Sequence, residues 1–238
     1  MCDSNCPVCN GIGWVRLDLP VGDPKFGKLV PCPNADRSEF AEYTNSGLCR
    51  EEYSKTLDDL DDLNDTDKAI QIVKKVLKRG YGMVYLYGQY GIAKSAILKA
   101  AVAEYLRDNL ENAVYANTKA VYVNMGPLIE STRLAWDGAG KYSDADLMRR
   151  CMTAKLLSLD ELDKIRGTEY AEEQRFMVLD GRYEMAVNQE AITLLAGNAS
   201  PAEYGGYLED RFRDGRVDTV HMAGKSVRPA QSWDWTDK

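Results

Sequence analysis

The stretch YLYGQYGIAKSAILKA, residues 85–100, passes from apolar residues through a loop punctuated by Gly88 and Gly91 to Lys94 and Ser95, which open a helix-forming run. A phosphate loop requires this order: a buried strand, a turn whose amides can approach an anion, and a helix beginning at the lysine, so that its unpaired amides and macrodipole face the phosphate. In that reading Gly88, Gly91, Ile92, Ala93 and Ala96 wrap the phosphates of ATP, Lys94 brings positive charge to the β and γ phosphates, and the Ser95 hydroxyl ligates magnesium. Ala93 stands where glycine is usual. At negative φ its methyl group is harmless; at positive φ it adds strain on the order of 1 kcal/mol, which weakens the loop without abolishing it.

A nucleotide site needs acids on a neighbouring strand, and KLLSLDEL, residues 155–162, provides them. Leu156, Leu157 and Leu159 read as a buried strand ending in Asp160 and Glu161, where Asp160 can hold the magnesium shell and Glu161 can polarise an attacking water. By itself the segment is an ordinary strand with an acidic turn; coupled to the phosphate loop it becomes the second half of a site. Further on, ITLLAGN ends in Asn198, whose amide can orient the water. Arg211, Arg213, Arg216 and Arg228 follow. Arginines on a helix are usually solvated, but phosphoryl transfer accumulates negative charge that a guanidinium supplied by a neighbouring subunit stabilises.

Strands and helices alternate around these motifs. GMVYLYG, a helix from Lys94 to about Asn109, AVYVNM, helices near 126–135 and 143–153, AKLLSLDEL, a helix over about 168–186, AITLLAGN, a helix near 202–213 and RVDTVHM predict one α/β domain with a parallel sheet covered by helices. Upstream, Ala69, Ile70, Ile72, Val73, Val76 and Leu77 recur at helical spacing from Asp65 until Gly80. The acidic TLDDLDDLND before them lacks the central glycine and closing glutamate of a calcium loop, which leaves a solvated linker and a helix start.

The first segment concentrates four of the cysteines, Cys2, Cys6, Cys9 and Cys32. Cys6 and Cys9 have C-x-x-C spacing on a turn opened by Pro7, and Cys32 returns in VPCPN, a pattern that predicts zinc, with iron–sulfur ligation second. A second C-x-x-C would need cysteine at 35, where Ala35 stands, so the fourth ligand is Cys2 or, failing it, Cys49 or Asp36. Free thiols in a loose tail are the plain alternative.

Composition narrows the rest. A chain of 238 residues accommodates one α/β domain and a small appendage, and 45% hydrophobic with 28% charged residues is ordinary for a globular protein. Apolar runs fall short of a membrane span, and MCDSNCPVCNG lacks the character of a secretory signal, so a cytoplasmic protein without disulfides is expected. A net charge of -7 argues against coating nucleic acid by bulk charge but leaves room for a local basic patch.

With GQYGIAKS, LLSLDEL, TEYAEEQRFMVLDGRY, LLAGN and LEDRFRDGR followed by GKSVRP in this order, residues 47–229 resemble the AAA+ ATPases of the DnaC and DnaI helicase-loader type, to which the transposition helper IstB is related. The resemblance implies a P-loop three-layer αβα core without a helical lid, preceded by a zinc module over 1–46 and followed by a tail over 230–238. It makes Asn198 the sensor 1 residue, Arg211 the arginine finger acting between self-associated subunits, and Arg228 the sensor 2 candidate. The implied activity is ATP-dependent loading of a hexameric replicative helicase onto single-stranded DNA in a phage or bacterial system. An IstB-like helper and a nucleotide-binding adaptor with little hydrolysis are the alternatives. Lys119, Arg133, Lys141, Arg149 and Arg150, with Tyr142 and Trp136 as stacking platforms, are candidate DNA contacts, although solvation explains such charges, and core packing such aromatics, more often.

Overall fold

The structure, a computed structural model, describes residues 6–10, 14–16, 18, 20, 29–32, 34, 46–60, 66–109, 120–136, 142–165 and 167–226. Five parallel strands form the central sheet: β3 (Gly82–Gly88), β4 (Ala120–Asn124), β5 (Leu156–Asp160), β6 (Ile192–Gly197) and β7 (Val217–Met222), in the spatial order β4-β5-β6-β3-β7. The three middle strands are almost wholly buried, as expected of near-continuous apolar runs covered on both faces. At the edges, β4 and β7 carry half-exposed residues.

Period-2 alternation splits the core into two layers of packing. Val84, Leu86, Leu194 and Ala196 face one side, against α2 (Asp67–Arg79) and α3 (Lys94–Asp108). Met83, Tyr85, Leu157, Leu159 and Leu195 face the other, against α4 (Met125–Trp136), α5 (Tyr142–Thr153), α6 (Glu169–Val187) and α8 (Gly206–Arg213). The expected three-layer αβα arrangement is therefore present, and among the described residues no helix follows β7. Helix α2 begins at Asp67, two residues later than its sequence pattern suggests, and ends where Gly80 adopts φ 83° and donates to Val76 O at 3.0 Å. The single helix expected near 202–213 is instead two, α7 (Pro201–Tyr204) and α8, because Gly205 and Gly206 both take positive φ.

A fully buried cation pins the amino-terminal edge of the sheet. Arg182 on α6 is 0% exposed and donates to Thr193 Oγ1 (2.9 Å), Ala154 O (2.8 Å) and Ile192 O (2.6 Å), with Cys151 O at 3.4 Å. Its charge is met by neutral oxygens, several of them at the carboxyl end of α5 where a helix dipole favours a cation.

Before the sheet, residues 46–60 run along α3. Helix α1 (Arg50–Tyr53) places Glu52 against Lys99 at 2.5 Å, Leu57 N donates to Glu104, and Arg107 donates to the carbonyls of Tyr53 and Lys55. Gly47, at φ 81°, lies so close to β4 that a Cβ there would meet Tyr122 O at 2.2 Å. Further upstream, β1 (Trp14–Arg16) and β2 (Leu29–Pro31) pair as an antiparallel ribbon. Among the described residues no helix is long and apolar enough to cross a membrane.

Candidate phosphate site and cysteine cluster

Strand β3 ends at Gly88 and α3 starts at Lys94, so the loop sits at the carboxyl edge of the sheet beside the tips of β5 and β6. Both glycines are dictated by close approach. A Cβ on Gly88 (φ 138°) would stand 2.1 Å from Met222 O, and one on Gly91 (φ 79°) 2.2 Å from Ser226 Oγ. Ala93 takes φ 65° and ψ 9°, so the strained alternative is the one realised. Left-handed alanine costs about 1–2 kcal/mol, and such strain clusters at functional turns.

The loop closes one side of a cavity of about 210 Å³ lined by Gly91, Ile92, Ala93, Lys94, Ser95 and Ala96, with Asp160, Glu161 and Asn198 opposite. Residues more than a hundred positions apart in sequence thus meet around one space. Lys94 is 8% exposed, and its ammonium donates to Gly88 O (2.7 Å), Gln89 O (2.6 Å) and Asn198 Oδ1 (3.2 Å). A buried cation satisfied by carbonyls of its own loop is poised for a stronger anionic acceptor.

Opposite, Asp160 is 4% exposed and both of its oxygens are committed. Tyr122 donates its hydroxyl to Oδ2 at 2.8 Å, and the Glu161 amide donates to Oδ1 at 2.7 Å. Burial, reinforced by the Asp160 charge, pushes the Tyr122 hydroxyl well above the ordinary phenol range, which keeps it a donor. Glu161 itself lies at φ 54°, with one carboxylate oxygen accepting from Asn124 Nδ2 at 3.3 Å and the other paired with Lys164. Asn124 is Asp160's register partner on β4, and its Oδ1 is buried without a hydrogen-bond partner among the described residues. Ser95 Oγ and the Asp160 carboxylate, which line the same cavity, are oxygen donors of the kind a hard divalent cation such as magnesium takes.

Asn198 is held as firmly as the acids. Asp163 accepts from its backbone amide and from Nδ2, both at 2.9 Å, and Leu162 N donates to Ala196 O at 3.0 Å, so the tips of β5 and β6 are stitched together. Tyr122, Asn124, Asp163 and Lys164 escaped the sequence reading. Asp163 and Lys164 come one residue after the acidic pair, and Asn124 closes an apolar run, the only hints a sequence offers.

The expected finger, Arg211, is engaged within its own chain. Its guanidinium lies 4.0 Å from the Tyr183 ring centre and 4.5 Å from that of Tyr207, with Asp180 at 3.5 Å and Glu184 at 3.7 Å. Arg213, paired with Glu209, is 67% exposed, while Arg216 pairs with Asp214. Arg228, like Cys2, Asp36, Lys119 and Lys141, lies outside the described residues. Of the remaining candidate DNA contacts, Arg133 pairs with Glu130 and Arg149 and Arg150 lie on α5, none of them lining the cavity; the side chains of Trp136 and Tyr142 are outside the described set.

Cys6, Cys9 and Cys32 converge, buried, with their sulfurs within 4.8 Å of one another. The turn Asn10 N to Cys6 O (2.8 Å) folds the first two together, with Asn10 at φ 50°, and β2 delivers the third. Cys6 and Cys32 stand 3.7 Å apart, far beyond a disulfide and close to the roughly 3.8 Å separation of two thiolates on tetrahedral zinc with bonds of about 2.3 Å. Hydrogen bonding, first from the Val8 backbone amide, holds the Cys6 thiol down to about 6, so a thiolate is available at neutral pH. Cys49 is not in the cluster; it caps α1, exposed, with its sulfur toward Glu51.

The sequence matches no protein-family model and no curated protein. Its fold is similar to that of solved replication proteins: AMPPCP-bound DnaA from Aquifex aeolicus (TM-score 0.54, 18% identity, 70% of this chain and 49% of that one), DnaI (0.52, 17%, 75% and 96%) and the DnaC helicase loader (0.50, 15%, 74% and 100%). The chain spans about half the length of three solved replication-initiation proteins it matches, two of them DnaA, at 49–51% of those chains. With the strand order, these likenesses show that the chain shares the fold of the DnaI and DnaC structures, a parallel sheet covered by helices with the phosphate-loop cavity at its carboxyl edge.

Proposed function

We propose that the protein is an ATP-dependent loader of a replicative DNA helicase onto single-stranded DNA, with ATP binding and hydrolysis as its assembly switch. The observation that carries this reading is the convergence of Lys94, Ser95, Asp160, Glu161 and Asn198 on one cavity in a core of helicase-loader fold. Lys94 leaves its loop carbonyls for the β and γ phosphates, while the amides at the start of α3 bind the same anion. Magnesium, held by Ser95 and Asp160, would screen phosphate charge as it accumulates. Tyr122 fixes the Asp160 carboxylate, Asp163 fixes Asn198 beside the attacking water, and Glu161 accepts a proton from that water. For Arg211 to serve a neighbouring subunit it must leave the rings of Tyr183 and Tyr207, so alanine variants of Arg211, Arg213 and Arg216 are each to be mixed with Lys94→Ala protein, and the finger is the arginine whose loss abolishes turnover that the mixture partly restores.

One observation favours a neighbouring reading, nucleotide binding with little turnover: both oxygens of Glu161 are occupied. A single experiment separates the two. Nucleotide titration and ATP turnover are measured with and without single-stranded DNA, alongside capture of a replicative helicase by the wild type and by Lys94→Ala. Loading predicts ATP-dependent capture that Lys94→Ala abolishes; binding without turnover supports the adaptor, and unchanged nucleotide affinity in Lys94→Ala removes the phosphate-loop assignment.

A further inference from the structure

We propose that Lys164 is a second cation for the terminal phosphate of the nucleotide, parked on Glu161 in the resting chain and drawn off it when the triphosphate enters. The inference rests on the nucleotide reading above and assigns a role to a residue outside the phosphate loop. Lys164 lines the same cavity as Lys94, Ser95 and Asp160, but on the wall that carries Glu161. Its backbone is fixed by a tight turn, Lys164 N to Glu161 O at 2.9 Å, so the ammonium has only a short distance to search. It meets Glu161 Oε1 at 2.5 Å and lies 5.4 Å from the centre of the Tyr90 ring on the phosphate loop.

Two features make this contact a resting state. The side chains of Lys164 and Glu161 are 45% and 37% exposed, and ion pairs of that kind contribute little, so the hold is weak. A terminal phosphate offers more charge and more acceptor oxygens than one carboxylate, and charge-assisted hydrogen bonds to it outcompete the pair. Before the nucleotide arrives, the ammonium also cancels a carboxylate that would repel it. Once drawn away, Lys164 leaves Glu161 held by Asn124 alone, with one oxygen exposed to the cavity. The loop amides and Lys94 serve any phosphate chain seated there, whereas Lys164 answers to the terminal phosphate, the group a diphosphate lacks.

The test measures affinity for a non-hydrolysable ATP analogue and for ADP in wild type, Lys164→Ala, Lys164→Arg, Glu161→Gln and the double variant Glu161→Gln with Lys164→Ala. Lys164→Ala should weaken the triphosphate about tenfold while leaving ADP within about twofold, and Lys164→Arg should recover most of the loss. Glu161→Gln, which removes the parking place, should tighten the triphosphate several-fold, and by more when Lys164 is present than when it is alanine. An unchanged triphosphate-to-diphosphate ratio in Lys164→Ala overturns the inference, as does an equal gain from Glu161→Gln in the absence of Lys164. Wild-type protein that binds neither nucleotide overturns the nucleotide reading itself.

Discussion

Replacing Asp163 with alanine tests whether the candidate site is preorganised by its surroundings. The Asp163 carboxylate accepts two hydrogen bonds from Asn198, both at 2.9 Å, and nothing else described restrains that amide except Lys94 at 3.2 Å. Hydrogen bonds to a charged acceptor contribute about 1.5–3 kcal/mol each, and the half-buried setting puts these at the lower end. If about half of that total is expressed as misorientation of Asn198 during hydrolysis, about 1.5–2 kcal/mol is lost from the transition state, or about 10- to 30-fold in turnover. Nucleotide affinity should change far less, because Lys94 and the loop amides are untouched. Steady-state turnover and equilibrium titration on the same preparation separate the two effects, and Asp163→Asn, which keeps one acceptor oxygen, should fall between. Full turnover in a folded Asp163→Ala protein would refute the idea that Asn198 needs this partner.

Three further outcomes follow from the same geometry. Ala93→Gly relieves about 1–2 kcal/mol of left-handed strain but loses a buried methyl worth about 0.8 kcal/mol and gains unfolded-state entropy, so denaturant titration should find stability changed by less than about 1 kcal/mol and nucleotide affinity by less than about tenfold. Purified protein should carry about one zinc per chain by metal analysis, and Cys6→Ser should release it while leaving nucleotide titration intact; protein without metal after expression in zinc would remove the site. Arg182→Met strips four oxygens of their donor, and thermal melting should show a loss of at least about 1–3 kcal/mol, the penalty of one buried acceptor left unsatisfied, or about 2–12 °C.

The strands were legible because β3, β5 and β6 are buried on both faces and therefore read as unbroken apolar runs. Lys94, Ser95, Asp160 and Asn198 were legible for a related reason: each marks the end of such a run or the start of the helix that follows. What escaped depends on contacts between strands. Tyr122 reaches Asp160 across 38 residues and Asp163 reaches Asn198 across 35, and no local pattern distinguishes either from an ordinary tyrosine or a turn acid. Strands as short as β1 and β2 have too few residues to display a period, and the break between α7 and α8 depends on Gly205 and Gly206 taking φ 62° and 49°, which composition alone does not require. The sequence leaves the conformation of Ala93 between two values, and the fold realises the strained one.

Residues 46–57, which precede the sheet, are bound closely to it. Their helix is tied to Lys99, their carbonyls to Arg107 and Leu57 to Glu104, all on the helix whose first turn holds the phosphate loop, and Gly47 abuts the very tyrosine that orients Asp160. Lifting this segment off α3 would break an ion pair and three hydrogen bonds on that helix and withdraw the backbone that abuts Tyr122, so the docking of residues 46–57 and the shape of the cavity draw on the same set of bonds.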